Sequence, residues 1–156
     1  MKVQLHSLIS HKTAISYKNV WNAFKAVDKF IPGYPCNPND LTMIPDIYSG
    51  FCWTPEKNVN PPGRGECGSY HEEGSCYNRE HSWPKSWFGG FSDGDGAQTD
   101  LFELWPSDGY VNNLRGNLPF GYVTSGTESY TSSNGSKIGT CSSSSSAGIC
   151  FELPDY

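Results

Sequence analysis

No stretch of the 156-residue chain approaches the roughly 18 consecutive apolar residues that a membrane-spanning helix needs, so no helical membrane span is expected. Basic residues are also few. Eleven Lys and Arg stand against 16 Asp and Glu, for a formal charge of −5. That balance argues against a generic basic nucleic-acid coat, so a nucleic-acid partner would have to meet a local basic patch. No CxxC pair occurs, which leaves a structural zinc site without its usual closely spaced ligands. The serine-rich tract near the C-terminus contains no GxSxG elbow, so it gives no support to a serine hydrolase. Aromatics, in contrast, are abundant: five Trp, nine Tyr and eight Phe make up 14% of the chain. Each can bury roughly 150–250 Å², which excludes a disordered composition.

The length predicts one domain. Seventeen Gly and 11 Pro predict that it is rich in loops, with short regular elements. Six cysteines form an even set, and eight residues lie between Cys67 and Cys76 and again between Cys141 and Cys150. Sequence cannot choose among the connectivities of six cysteines, but bridges Cys36–Cys52, Cys67–Cys76 and Cys141–Cys150 close the shortest loops and are the expected pattern. Disulfides imply an oxidising compartment, so a secreted or periplasmic location is expected. Residues 1–15 carry no continuous apolar h-region and no small-residue cleavage site. An export signal is therefore expected to have been removed, or the sequence begins inside a mature domain.

Two short helices are expected to open the chain. Leu5, Leu8 and Ile9 follow helical spacing, and Val20, Phe24 and Val27 line one face beyond a Ser16 cap, with Tyr17 and Trp21 beside them. Pro32 and Gly33 stop the second helix. One strand is expected within Ile44–Trp53 and another within 77–88. A helix over roughly 108–116 is expected after Pro106, with Ser107 as its cap. The run Ser142–Ser146 would read alone as linker, but flanked by Cys141 and Cys150 it is expected inside a disulfide-closed loop. The Asp93-Gly94-Asp95-Gly96 stretch does not fit a calcium loop, because its register puts Gln98 where the turn glycine belongs. His6, His11 and His71 lack partner patterns and are read as structural or exposed.

Two segments can carry chemistry. In Asn78-Arg79-Glu80-His81-Ser82-Trp83-Pro84-Lys85, basic side chains meet a carboxylate suited to hard cations and an imidazole able to take a proton near neutral pH. Neighbours on a regular strand point to opposite faces, so Glu80 and His81 can share a site only at a bulge or a strand end. In the second segment, Asp108, Asn112 and Arg115 fall on one face of the expected helix. Two Asn in mid-helix are poor helix formers and invite a functional reason: an amide oxygen for a hard cation, with Arg115 beside it for an anion.

Together, NREHSWPKSWFGG (78–90) and TDLFELWPSDGYVNNLRGNLPFGYV (99–123) closely resemble the endonuclease I family of secreted and periplasmic nucleases. The likeness extends to CGSYHEEGSCYNREHSWP (67–84), the opening helices and NGSKIGT (134–140), and so covers most of the chain. The resemblance implies an α+β fold for residues 1–156, a single loop-rich, disulfide-stabilised domain around a ββα-metal (His-Me finger) nuclease core. It implies that His81 is the general base, that Glu80 and Asn112 are metal ligands, and that Arg115 belongs to the same catalytic motif and contacts phosphate. Arg79 and Lys85, with Arg115 and Arg64, are the basic residues available to bind nucleic acid. The implied cofactor is Mg²⁺ or another divalent cation, and the implied substrate is DNA, with RNA as a second candidate, cut without sequence preference by a monomer.

Relatives continue beyond this point with an Arg-containing helix, whereas this sequence stops at Tyr156. Glu103 stands where relatives usually carry His or Asn, Leu114 where a basic residue is common, and Gly116 where Ser is common. A rival reading is a secreted, catalytically impaired nuclease-like binding module. It would use Trp53, Trp83, Trp87, Trp105 and the tyrosines as a glycan- or peptide-binding surface.

Overall fold

The computed structural model describes residues 14–28, 36, 43–56, 65–89, 96–142 and 148–155. A 3-10 turn at Tyr17–Asn19 leads into helix α1, Val20–Val27. Val20 and Phe24, four residues apart on one face, are fully buried, whereas Val27 is exposed. The side chain of Ser16 makes no cap; its carbonyl accepts from Asn19 N–H at 2.8 Å instead. The expected helix on Leu5, Leu8 and Ile9, the Pro32-Gly33 stop, Arg64, Ser143 to Ser146, and two of the four histidines (His6 and His11) lie outside the described residues. His71 is exposed, as expected.

The single strand expected over Ile44–Trp53 is instead a hairpin of β1, Ile44–Pro45, and β2, Cys52–Trp53. Asp46 is the reason. Its Oδ1 accepts from Tyr48 N–H at 2.8 Å, a local side-chain turn that breaks the strand, and Gly50 then takes φ +71° to send the chain back.

Strand β3, Tyr77–His81, pairs antiparallel with β4, Leu104–Asp108, with Tyr77 opposite Asp108, Glu80 opposite Trp105 and His81 opposite Leu104. Pro106 sits within β4 without loss. Ser82 N–H donates to the Glu103 carbonyl, so hydrogen-bonded pairs alternate from there, and the Arg79–Pro106 pair is one that exchanges no ladder bonds.

Helix α2, Gly109–Arg115, follows β4 without a loop. Its cap is Asp108 rather than Ser107: the Asp108 carboxylate accepts from Tyr110 and Val111 N–H at 2.8 and 3.0 Å. Asp108 therefore ends the strand and starts the helix, and does not share a helix face with Asn112 and Arg115. Gly109 is required at this junction, because a Cβ there would come within 2.4 Å of Cys67 Sγ. Strands β3 and β4 with α2 make a ββα unit.

Two apolar clusters flank that unit. Val20, Phe24, Ile44, Trp53, Tyr77 and Leu104 form one, under α1. Tyr48, Val111, Ile138 and Phe151 form the other, between α2 and a three-stranded antiparallel sheet. That sheet contains β5, Tyr130–Thr131, β6, Lys137–Thr140, and β7, Ile149–Glu152, in the order β5-β6-β7. Its strands bracket the Ser142–Ser146 run, in a region where the sequence pattern predicts no strand. The architecture is α+β.

Bridges Cys36–Cys52 and Cys67–Cys76 are present as expected. The expected Cys141–Cys150 bridge is not: both are free thiols. Backbone closes that hairpin instead, through the β6–β7 ladder and a 3.2 Å bond from Cys141 N–H to the Gly148 carbonyl. Cys150 pairs with Gly139 across the ladder, and its thiol donates to the Tyr122 carbonyl at 3.5 Å.

Candidate active site

The ββα unit brings most of the chemistry-bearing residues to one polar cavity of about 230 Å³. Its lining includes Arg79, Glu80, His81 and Lys85 from β3 and the turn after it, and Asn112 and Arg115 from α2. Asn112 and Arg115, three residues apart, reach it from one helix face. Glu80 and His81 both line it from adjacent positions at the C-terminal end of β3.

Glu80 is 2% exposed. Its Oε1 accepts two hydrogen bonds, from Tyr48 Oη at 2.8 Å and from Arg115 Nη1 at 2.6 Å. Its Oε2 accepts none among the described residues, yet it is not sealed from solvent, so it is the carboxylate oxygen left to the cavity. Burial pushes the Glu80 carboxyl up to about 7, against the opposing pull of the Arg115 charge and of its two hydrogen bonds.

The His81 ring is buried, and its Nε2 lies 3.1 Å from the Gln98 carbonyl. A carbonyl can only accept, so Nε2 carries the proton and the neutral ring keeps its lone pair on Nδ1. Nδ1 has no partner among the described residues and is not sealed from solvent. Burial, with the Lys85 charge adding to it, brings the imidazole down to about 4, so the ring is neutral at neutral pH. The rings of Tyr17 and Phe88 stand on either side, at 5.8 and 6.3 Å between centroids.

Of the four basic residues expected against nucleic acid, the three that are described are placed differently from one another. Arg115 is 1% exposed, and its guanidinium donates to Glu80, to the carbonyls of His81 and Ser82 at 2.8 Å each, and to the Leu118 carbonyl at 3.1 Å. It borders the cavity, and four of its five N–H donors are engaged by protein, so its guanidinium is held in place by Glu80 and three carbonyls. Arg79 lies over the Tyr17 ring at 3.7 Å and the Trp21 ring at 4.5 Å, and donates to the Tyr17 carbonyl at 2.7 Å. It ties α1 to β3. Lys85 donates to Tyr17 Oη at 3.0 Å and keeps its charge on the cavity wall.

Glu103, expected to bring negative charge to the site, accepts from Ser82 Oγ at 2.8 Å and is absent from the cavity lining. Leu114 packs on the second apolar cluster, whereas Gly116 borders the cavity. Tyr17, Tyr48 and Gln98 were missed by sequence reasoning. Of these only Tyr48 carried a local signal, because Asp46 two residues before it is a turn former.

A family model described as Endonuclease I matches residues 1–156. The chain belongs to the endonuclease I family. This endonuclease I family member is 36% identical, over 120 residues, to a protein named extracellular ribonuclease from Bacillus amyloliquefaciens. It is 37% identical, again over 120 residues, to a protein of the same name from Bacillus subtilis (strain 168). Each match covers 77% of this chain and 35% of the relative, so the chain spans about a third of the length of those proteins. No solved structure matches it at a significant level.

The donors of the site suit a hard divalent cation. A carboxylate oxygen without a hydrogen bond and an amide side chain border one polar cavity, and both groups carry the oxygen donors a hard cation takes. Among the described residues no group of three His, Cys, Asp or Glu side chains is placed to hold a metal, so a closed zinc-type cage is not the match.

Proposed function

We propose that the protein is a divalent-cation-dependent endonuclease that hydrolyses phosphodiester bonds of DNA and RNA without sequence preference. The observation that carries this reading is that Glu80 Oε2, the Asn112 side chain and a neutral His81 border the same cavity of a ββα unit. Glu80 and Asn112 would hold the cation, Mg²⁺ or another divalent ion. Once bound, that ion would supply charge stabilisation at a phosphate oxygen and at the leaving 3′-oxygen.

The remaining chemistry belongs to the chain's own residues. His81 Nδ1 takes a proton from the attacking water, while the Gln98 carbonyl holds the ring by its Nε2–H. Water oxygen bonds to phosphorus, the bond to the 3′-oxygen breaks, and solvent returns a proton to the leaving group, giving a 5′-phosphate end. Lys85 places positive charge where a phosphate would enter. A site that grips phosphate and positions one bond reads no base edges, which suits cleavage of either nucleic acid. With a formal charge of −5 and 11 Lys and Arg in the whole chain, binding is expected to be modest and salt-sensitive.

Two disulfides and the extracellular naming of both relatives support action outside the cytoplasm, and no described helix is long and apolar enough to cross a membrane. The rival binding-module reading is weaker than composition suggested. Trp53 is in the core, and Trp105 is half-buried. Of the four tryptophans it named, only Trp83 and Trp87 present much surface, about half of each.

The test is cleavage of supercoiled plasmid and of RNA in Mg²⁺ or in EDTA. Cleavage of both that needs Mg²⁺ and is lost in His81→Ala supports the nuclease reading. A folded, disulfide-intact protein inert towards both nucleic acids in Mg²⁺ and in Mn²⁺ would overturn it in favour of the binding module.

A further inference from the structure

We propose that Tyr48 is a positioning residue for the cation site: its hydroxyl, with Arg115, pins Oε1 of Glu80 and so leaves Oε2 as the ligand oxygen. The inference rests on the reading of Glu80 as a metal ligand and adds a residue that touches neither the cation nor the substrate.

A carboxylate free to rotate about its last torsion would exchange its two oxygens, and each exchange would disturb a ligand set that has only one carboxylate. Two donors on one oxygen remove that freedom. Tyr48 Oη and Arg115 Nη1 both reach Oε1, at 2.8 and 2.6 Å, and no described group competes for Oε2.

Tyr48 is itself held at every part. Its N–H donates to Asp46 Oδ1 at 2.8 Å, and its carbonyl accepts from Ser132 Oγ at 3.1 Å and Ser136 Oγ at 2.6 Å. Its ring lies 4.6 Å from that of Phe151. The ring alone would satisfy the apolar cluster, and a phenylalanine would fill it without burying a hydroxyl. Burying an O–H is costly unless it is paired, and its partner here is Glu80. The oxygen on Tyr48 therefore belongs to the site and not to the core.

The experiment is Mn²⁺ binding to metal-free protein, read by electron paramagnetic resonance, for wild type, Tyr48→Phe, Glu80→Ala and the double variant. Tyr48→Phe is expected to weaken Mn²⁺ binding by about 10- to 100-fold, the range for loss of a group that orients a ligand. The Mg²⁺ concentration for half-maximal cleavage should rise in step, with turnover recovering at saturating Mg²⁺. In the Glu80→Ala background the Tyr48→Phe effect should vanish. Unchanged Mn²⁺ affinity in folded Tyr48→Phe overturns the proposal while leaving Glu80 a ligand. Unchanged affinity in Glu80→Ala overturns the reading beneath it instead. Should Tyr48→Phe fail to fold, Ser136→Ala decides: it loosens the Tyr48 backbone without touching Glu80, and it must weaken Mn²⁺ binding for the proposal to stand.

Discussion

Arg115 Nη1 sits 2.6 Å from Oε1 of Glu80, and both side chains are almost wholly buried. Removing one partner of such a pair leaves the other charge uncompensated in a poor solvent, at a cost of about 3–5 kcal/mol. Arg115→Ala is therefore expected to lower folding stability by that order in chemical denaturation. A surface phosphate contact would behave in the opposite way, with normal stability and a weakened salt dependence of cleavage.

His81→Ala should lose about 10²- to 10⁴-fold in cleavage rate, the usual contribution of a general base, with unchanged circular dichroism. Near-normal turnover by the folded variant would remove His81 from the chemistry.

Asn112→Ala is expected to raise the Mg²⁺ requirement sharply, whereas Asn112→Asp should keep or strengthen Mg²⁺ binding because it adds a charged oxygen donor. Isothermal titration with Mn²⁺ would show the order Asp ≥ Asn > Ala. An Ala variant that bound as tightly as wild type would take Asn112 out of the ligand set.

Stability should respond to His81 through pH in a definable window. The folded pKa, about 4, lies below the ordinary 6.5, so between these values the unfolded chain binds the proton first and folding loses stability as pH falls. Asp46 acts with the opposite sign. Burial raises it from 3.8 to about 6, so the folded state holds the proton more tightly and gains stability as pH falls through that range. Comparing His81→Asn with wild type isolates the first effect. The variant's melting temperature relative to wild type should climb between pH 6.5 and 4, and a flat difference would contradict the buried neutral ring.

Alkylation of the denatured, unreduced protein should label Cys141 and Cys150 and leave Cys36, Cys52, Cys67 and Cys76 unlabelled. Burial first, then hydrogen bonding to Cys141, pushes the Cys150 thiol up to about 12, so in the native state it should react slowly. Recovery of a Cys141–Cys150 peptide pair would restore the third bridge.

Sequence pattern served where one residue type has one dominant role. The Glu80-His81 pair and the Asn112-Arg115 helix were legible as a motif, and the fold brings all four residues to one cavity. Period and composition failed where backbone and tertiary contacts decide. Ile44–Trp53 reads as a strand until the Asp46 side chain is seen to turn it. No strand is expected from the sequence around Ser132 and Ser136, yet those hydroxyls bond the Tyr48 carbonyl and the chain between them folds back into the β5–β6 pairing. The sequence shows the charge of Arg115 but not its inward partners, Glu80 and the carbonyls of His81, Ser82 and Leu118. Tyr48 was invisible for the same reason: its one polar atom matters only through a carboxylate 32 positions away.

The outer rim of β4 has a bearing on how this protein keeps apart from copies of itself. An exposed strand invites another chain to pair with it through outward-facing amide groups. On β4 most outward groups are already closed. Leu104 N–H donates to the Asp100 carbonyl, Pro106 has no N–H while its carbonyl accepts from Ile47 N–H, and Asp108 N–H donates to the Asp46 carboxylate. The ribbon that carries Glu80 and His81 therefore offers a poor template for edge-to-edge aggregation along that side, even with only two strands to its sheet.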